Sequence, residues 1–225
     1  MLMIKKLVPL SMFHPEKMKF KGFVGIGKIR FRSQWKDQDS LISTIQLLED
    51  KNTHIQIFNC NNVLSPKHLY YGVYFAEQAF ALSSNISKQK SMEYLIYTSM
   101  QRQIKNAINT TGFLIDDKGH MDSANIVITA QTKQKLKNNF LKMMEMLDAE
   151  SIKNVILPID SLRLSHLQNH FHITDFELEN ALQCMGSFSS STILEQNEET
   201  KIKVFLHVIR EKMAQLFMES FKHAQ

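Results

Sequence analysis

Three histidines stand close together in HLQNHFH: His166, His170 and His172. The four-residue spacing sets His166 and His170 on one face of a helix, as a metal pair would require. No cysteine or clear carboxylate partner accompanies them, so surface or packing roles are expected and no metal site is assigned. Gly22, Gly25 and Gly27 depart from the GxGxxG order and read as a bulge or bend rather than a phosphate loop. No GxSxG, HExxH, P-loop or kinase signature occurs. Cys60 lies in an alternating apolar stretch and is expected to be inert. The sequence therefore suggests neither an enzyme nor a resident cofactor. A different chemistry comes from cations beside aromatic rings. Lys67, His68, Tyr70, Tyr71 and Tyr74 share one predicted helix, and Arg102, Gln103 and Lys105 open another. Rings that stack bases and cations that hold phosphates suit single-stranded nucleic acid. A half-buried helix with tyrosines at its rim would produce the same pattern.

The charge distribution points the same way. Residues 1–37 carry nine lysines and arginines against Glu16 and Asp37, a net of +7. The rest of the chain carries 18 cations against 20 acids. A positive excess confined to one end suggests a polyanionic partner, with a solvated lysine-rich arm as the plain alternative.

These residues must be carried by elements, and the composition allows a folded core. Of 225 residues, 44% are hydrophobic and 22% charged, within the range of ordinary globular proteins. Two cysteines cannot form a disulfide framework, and no apolar run of about 18 residues encodes a membrane span. The opening MLMIKKLVPLSMF makes a poor signal peptide, so a reducing cytoplasm is expected.

Period-2 alternation predicts a strand over 20–32, with Ile29 and Phe31 on one face and Lys28, Arg30 and Arg32 on the other. Further strands are expected at 54–63 and at 125–130, and a brief extended segment ending in a turn at 155–160. Asp39 or Ser40 would cap a helix over 41–51. Ser65-Pro66 starts a helix to about Leu82, whose Gly72 implies a close contact with a neighbouring element. Helices follow at 89–99, at 101–111 capped by Ser99, and from Thr132 to about Leu147. Gly112 is expected to close the second of these in a left-handed conformation. Two short helices, 161–170 and 174–185, precede an acidic, serine-rich stretch near 187–200 that reads as a mobile loop. A long helix over 200–223 ends the pattern, with a broad apolar stripe. The sum is α+β: a helix-rich single domain around a small, about three-stranded sheet, with a basic segment 1–40 leading into a domain over 41–225.

Between 54 and 112 the order of features becomes specific. HIQIFNCNNVLSPKHLYYGVYFAEQAF, then NISKQKSMEYLIYTSMQRQIKNAINTTG, resembles the small kinase-binding, Cgi-type subunit of the KEOPS complex, counterpart of the PRPK-binding protein. The resemblance rests on Asn59, Ser65, His68, Asn85, Ser91, Met92, Glu93, Ser99, Arg102, Gln103, Ile104, Ala107, Ile108 and Gly112. It covers about 45–150 and continues loosely to the C-terminal helix. The long basic N-terminal segment and the acidic stretch near 187–200 depart from the family.

The resemblance implies a non-catalytic subunit. KEOPS makes threonylcarbamoyl-adenosine in tRNA. The small subunit binds the complex's kinase-like ATPase, recruits tRNA through its 3′ CCA end, and meets the transferase subunit only indirectly. On this reading Lys67, His68, Tyr70, Tyr71, Asn85, Lys88, Arg102, Gln103 and Lys105 receive the tRNA end. Ile209, Met213, Leu216 and Phe217 on the last helix would meet the ATPase. A free-standing RNA-binding protein without a kinase partner is the alternative.

Overall fold

The computed structural model describes residues 2–7, 22–33, 35, 37–115, 122–152, 160–186 and 196–223. Its strands are β1 (Met3–Lys6), β2 (Phe23–Phe31), β3 (His54–Asn59), β4 (Ser123–Ala130) and β5 (Ala149–Ile152). Between and after them run α1 (Gln38–Gln46), α2 (Pro66–Ala81), α3 (Lys90–Ser99), α4 (Ile104–Thr111), α5 (Lys133–Met146), α6 (Ser161–His170), α7 (Asp175–Cys184) and α8 (Glu198–His223). The strands form one antiparallel sheet ordered β1-β2-β4-β3, with β5 also on β2. The class is α+β with a long C-terminal helix, as the pattern predicts, but among the described residues the sheet has five strands rather than about three. The two unforeseen strands are four residues each, too short to show an alternation. Their pairing is set by β2, whose first half takes β1 (Lys6 opposite Phe23) and whose second half takes β5 (Phe31 opposite Ala149).

Both faces of the sheet are covered, which is why its inner strands are apolar on both sides. Val24, Ile26, Phe58 and Val127 face a large core built from α2, α3, α6, α7 and α8. Ile29, Phe31, Ile55, Ile57, Ile126 and Ile128 face a second core closed by α1 and α5. The expected row of three cations on β2 is corrected in one member. Lys28 is buried, whereas Arg30 and Arg32 are exposed and lie 3.4 and 3.8 Å from Glu150 of β5. Lys17, Lys19, Lys21 and Lys36 lie outside the described residues, as do 155–159 of the expected extended segment and residues 187–195 of the acidic stretch.

Local chemistry sets the helix starts. Asp37, not Asp39 or Ser40, caps α1 by accepting the Ser40 N–H at 2.7 Å. Ser65 caps α2, with Pro66 at the first helical position. Thr132 and Asp160 cap α5 and α6, and Thr174 with Glu177 forms a full capping box on α7. Gly112 is not left-handed; its φ is −63°. The left-handed position falls on Met100, φ 57°, which ends α3 and delays α4 to Ile104. Space explains Gly112 instead, since a Cβ there would run into the Ile108 carbonyl.

Helices α2 and α3 pack antiparallel, and Gly72 is where they come closest. A Cβ on residue 72 would overlap Thr98 Oγ1 and crowd the Thr98 backbone nitrogen. Helix α8 lies across this pair. Phe217 sits 6.0 Å from Phe75, and the Tyr97 hydroxyl and Ser220 Oγ are 3.2 Å apart. Ile209, Met213, Leu216 and Phe217, expected to dock a kinase, are all buried in the core. The breadth of the stripe is explained by α2, α3 and α7 packing around α8. Among the described residues no helix is long and apolar enough to cross a membrane.

Gly72→Ala should therefore destabilise the protein by about 1–3 kcal/mol, although alanine favours a helix by about 1 kcal/mol. Urea unfolding would measure this, and a variant as stable as wild type would remove the steric account of Gly72. Removing residues 213–225 exposes the core and should abolish the cooperative unfolding transition. A truncated chain that still melts sharply would show that the helix end is dispensable.

Candidate nucleic-acid interface

The N-terminal end of α2 and the C-terminal end of α3 meet through His68. Its Nδ1 accepts the Leu64 N–H at 3.2 Å, so the proton sits on Nε2, which donates to the Thr98 carbonyl at 2.8 Å. Burial pushes the imidazole down to about pKa 4, with the bond to Thr98 opposing the shift in part. His68 is thus neutral at pH 7, fully buried and spent on internal bonds. Its expected contact with RNA is corrected to a structural role.

Around this joint lie residues that reach the surface. Lys67 is exposed, and Tyr70 and Tyr71, three and four residues on, are half-buried. The two tyrosine rings are 6.1 Å apart, edge to face. Lys5 Nζ of β1 lies 5.4 Å from the centre of the Tyr70 ring. Arg102, Gln103 and Lys105 are exposed just beyond the α3 end that His68 grips. Burial raises the Tyr97 pKa, and its hydrogen bond with Ser220 opposes the shift in part. Tyr74 is buried and takes no part in the surface.

The fold does not bring all nine expected residues together. Asn85 and Lys88 follow the far end of α2. Sixteen helical residues span about 24 Å, so these two stand a helix length from Lys67. The loop there is held from below by the buried carboxylate of Glu93, which accepts the N–H groups of Ile86 at 2.9 Å and Ser87 at 2.6 Å. Burial raises the Glu93 pKa, and those two bonds counter it. Asn85 Nδ2 closes the turn onto the Ser87 carbonyl at 2.9 Å. Nearby, Lys90 pairs with the buried Glu77 at 2.6 Å, and the Tyr94 hydroxyl donates to the same carboxylate. This end of the hairpin is braced by the buried carboxylates of Glu77 and Glu93, whereas the other end carries exposed cations and half-buried rings.

Lys5 is the contact that the sequence did not single out. It is one of nine N-terminal cations, and only the pairing of β1 with β2 brings it to Tyr70. The flanking Met3 and Leu7 pack into the larger core, an alternation too short to mark a strand in the sequence.

The histidines of α6 are tied inward. The His166 and His170 rings stack with centres 5.5 Å apart. Their Nε2 atoms lie 3.2 Å from Asn62 Oδ1 and 2.6 Å from the Thr110 carbonyl, binding α6 to the turn after β3 and to the end of α4. Among the described residues no group of three histidine, cysteine or acidic side chains is placed to hold a metal. Cys60 is buried, with its thiol 3.5 Å from the Ser123 carbonyl. No protein-family model and no curated protein matches the chain.

A histidine neutral in the fold and protonated when unfolded makes stability depend on pH. The unfolded chain binds the extra proton between its ordinary pKa of about 6.5 and the folded value of about 4, so stability is full above that window and falls as pH drops through it. His54, also pushed down to about 4 by burial, adds to the same slope. Chemical denaturation between pH 7 and 4 should show the loss, about 3 kcal/mol for His68 alone, with a shallower slope in His68→Gln. A slope unchanged in that variant would overturn the assignment of a buried neutral ring.

Proposed function

We propose that this chain is a non-catalytic, tRNA-binding subunit of a KEOPS-type complex, taking single-stranded RNA on the face formed by Lys67, Tyr70, Tyr71 and Arg102. The observation that carries this reading is the pair of half-buried rings Tyr70 and Tyr71 with Lys5 against Tyr70, at the start of α2 that His68 ties to the end of α3. Lys5 belongs to the same face. Gln103 and Lys105 continue it along the first turn of α4. Asn85 and Lys88 would meet RNA only through a strand long enough to span α2.

The chemistry of such a face is general. Each phosphate neutralised releases counterions, and each stacked base contributes roughly 1–3 kcal/mol. The residues named in the resemblance to the small KEOPS subunit occur in the order that family shows, which supports a tRNA 3′ end over other single strands. The reading includes a kinase-like ATPase partner, with the transferase subunit met only through it. That contact would use surface outside the inner stripe of α8, which is core. A free-standing RNA-binding protein fits the same face. Co-purification with a KEOPS ATPase in the absence of RNA separates the two readings.

Intact tRNA should bind more tightly than tRNA lacking its CCA end. Tyr70→Ala should weaken the intact tRNA roughly tenfold. Lys67→Ala and Arg102→Ala should each lower the salt slope by about 0.7. Filter binding across a salt series would measure both quantities. Equal affinity for the two tRNAs would remove the 3′-end assignment, and variants with wild-type affinity would remove the face.

A further inference from the structure

A cleft of about 230 Å³ opens between α1, β3, α3 and the end of α4, away from the cation–ring face. It is smaller than the roughly 300–1,000 Å³ of pockets that hold cofactors or drug-sized ligands. Its scale suits one inserted side chain. The walls are apolar: Leu41, Ile45, Ile57, Met92, Leu95 and Phe113. Among the described residues that line it, Glu49 is the one charged side chain, the other polar ones being glutamines and Ser91.

Glu49 is held rather than free. Its Oε1 accepts the Ile55 N–H of β3 at 2.7 Å, and Ser91 of α3 also hydrogen-bonds to the carboxylate. Burial raises its pKa, with those bonds opposing the shift. A fixed, half-buried anion on an apolar wall is stabilised by a cation that brings its own apolar stem. At the mouth, Ile42 and Leu114 remain 41% and 42% exposed. They offer apolar contact to whatever flanks the inserted group.

We propose that this cleft receives an arginine side chain from a partner protein, its stem along Leu41, Ile45 and Met92 and its guanidinium on Glu49. Charge complementarity selects the occupant: one carboxylate and no cation among the described residues that line the cleft. The edge of β3 argues against the other usual mode, addition of a strand. The Ile55 N–H is bonded to Glu49 and the Ile57 carbonyl to the Gln56 side chain, so both are already used. Recognition therefore proceeds by side-chain insertion, with apolar neighbours resting on Ile42 and Leu114. The site stands apart from the RNA face and does not depend on it.

Two capped peptides test it: acetyl-Leu-Arg-Leu-amide and the same peptide with neutral, isosteric citrulline in place of arginine. Titration into the full-length protein, followed by amide chemical shifts, should move the signals of Ile42, Ser91 and Leu114. The arginine peptide should bind roughly tenfold more tightly than the citrulline peptide. Glu49→Gln, whose amide oxygen can still accept the Ile55 N–H, should bring the two peptides to equal affinity. Ile42→Ser should weaken both. Equal binding of the peptides to wild type, or shifts away from the cleft, would overturn the proposal without any variant. Lys67→Ala and Arg102→Ala should leave peptide binding unchanged, so loss of RNA binding and failure of this site read out separately.

Discussion

The close approach of α2 and α3 at Gly72 and Thr98 is the constraint on which the rest of the fold depends. A helix pair this tight needs a residue without a side chain on one partner, and most of the buried polar groups around it are paired internally. His68 does this at one end by bridging the Leu64 N–H and the Thr98 carbonyl. Glu77, Lys90 and Tyr94 do it at the other end, with Tyr94 and Thr129 of β4 3.0 Å apart. Partners removed singly from such a network leave a buried group unpaired, which costs far more than the pair contributes. The hairpin is therefore stiff, and both α8 and the sheet are packed against a fixed surface.

Much of this was legible. Ser65-Pro66, the Thr174 capping box and the stripe of α8 are local signals, and each marks its element to within a few residues. Gly72 was legible as a close contact because a mid-helix glycine is costly without one. What a single sequence does not encode is which partner covers an apolar or polar face. The stripe at Ile209, Met213, Leu216 and Phe217 has the same pattern whether it packs internally or docks a partner. His68, one residue from an exposed lysine, turns inward by the 100° that separates neighbours on a helix. The β1 and β5 strands are visible only as partners of β2, since four residues carry too little periodicity.

The candidate site follows the same division. Residue types at Lys67, Tyr70, Tyr71 and Arg102 announce their chemistry, but that the end of α3 meets the start of α2 depends on the antiparallel hairpin. Lys5 joins them only through a sheet contact, and Asn85 and Lys88 are separated from them by the length of a helix. Buried carboxylates were the hardest to foresee. Glu49 and Glu93 each accept backbone N–H groups from segments six or seven residues away, and nothing in their immediate neighbours distinguishes them from solvated acids.

The pairing of β2 also bears on how the chain is made. Its long-range partners, β4 and β5, follow it by about 90 residues or more. At the usual pace of synthesis, roughly 5–20 residues per second, β2 waits for something like 5–20 s with its ladder incomplete. The segment FVGIGKIRF is β-prone and apolar enough to associate wrongly in that interval. Lys28 and Arg30 interrupt it with charge, the pattern by which gatekeepers keep a nascent strand from aggregating. The same charges lower the tendency of the unfinished strand to self-associate, and in the closed sheet Arg30 lies 3.4 Å from Glu150.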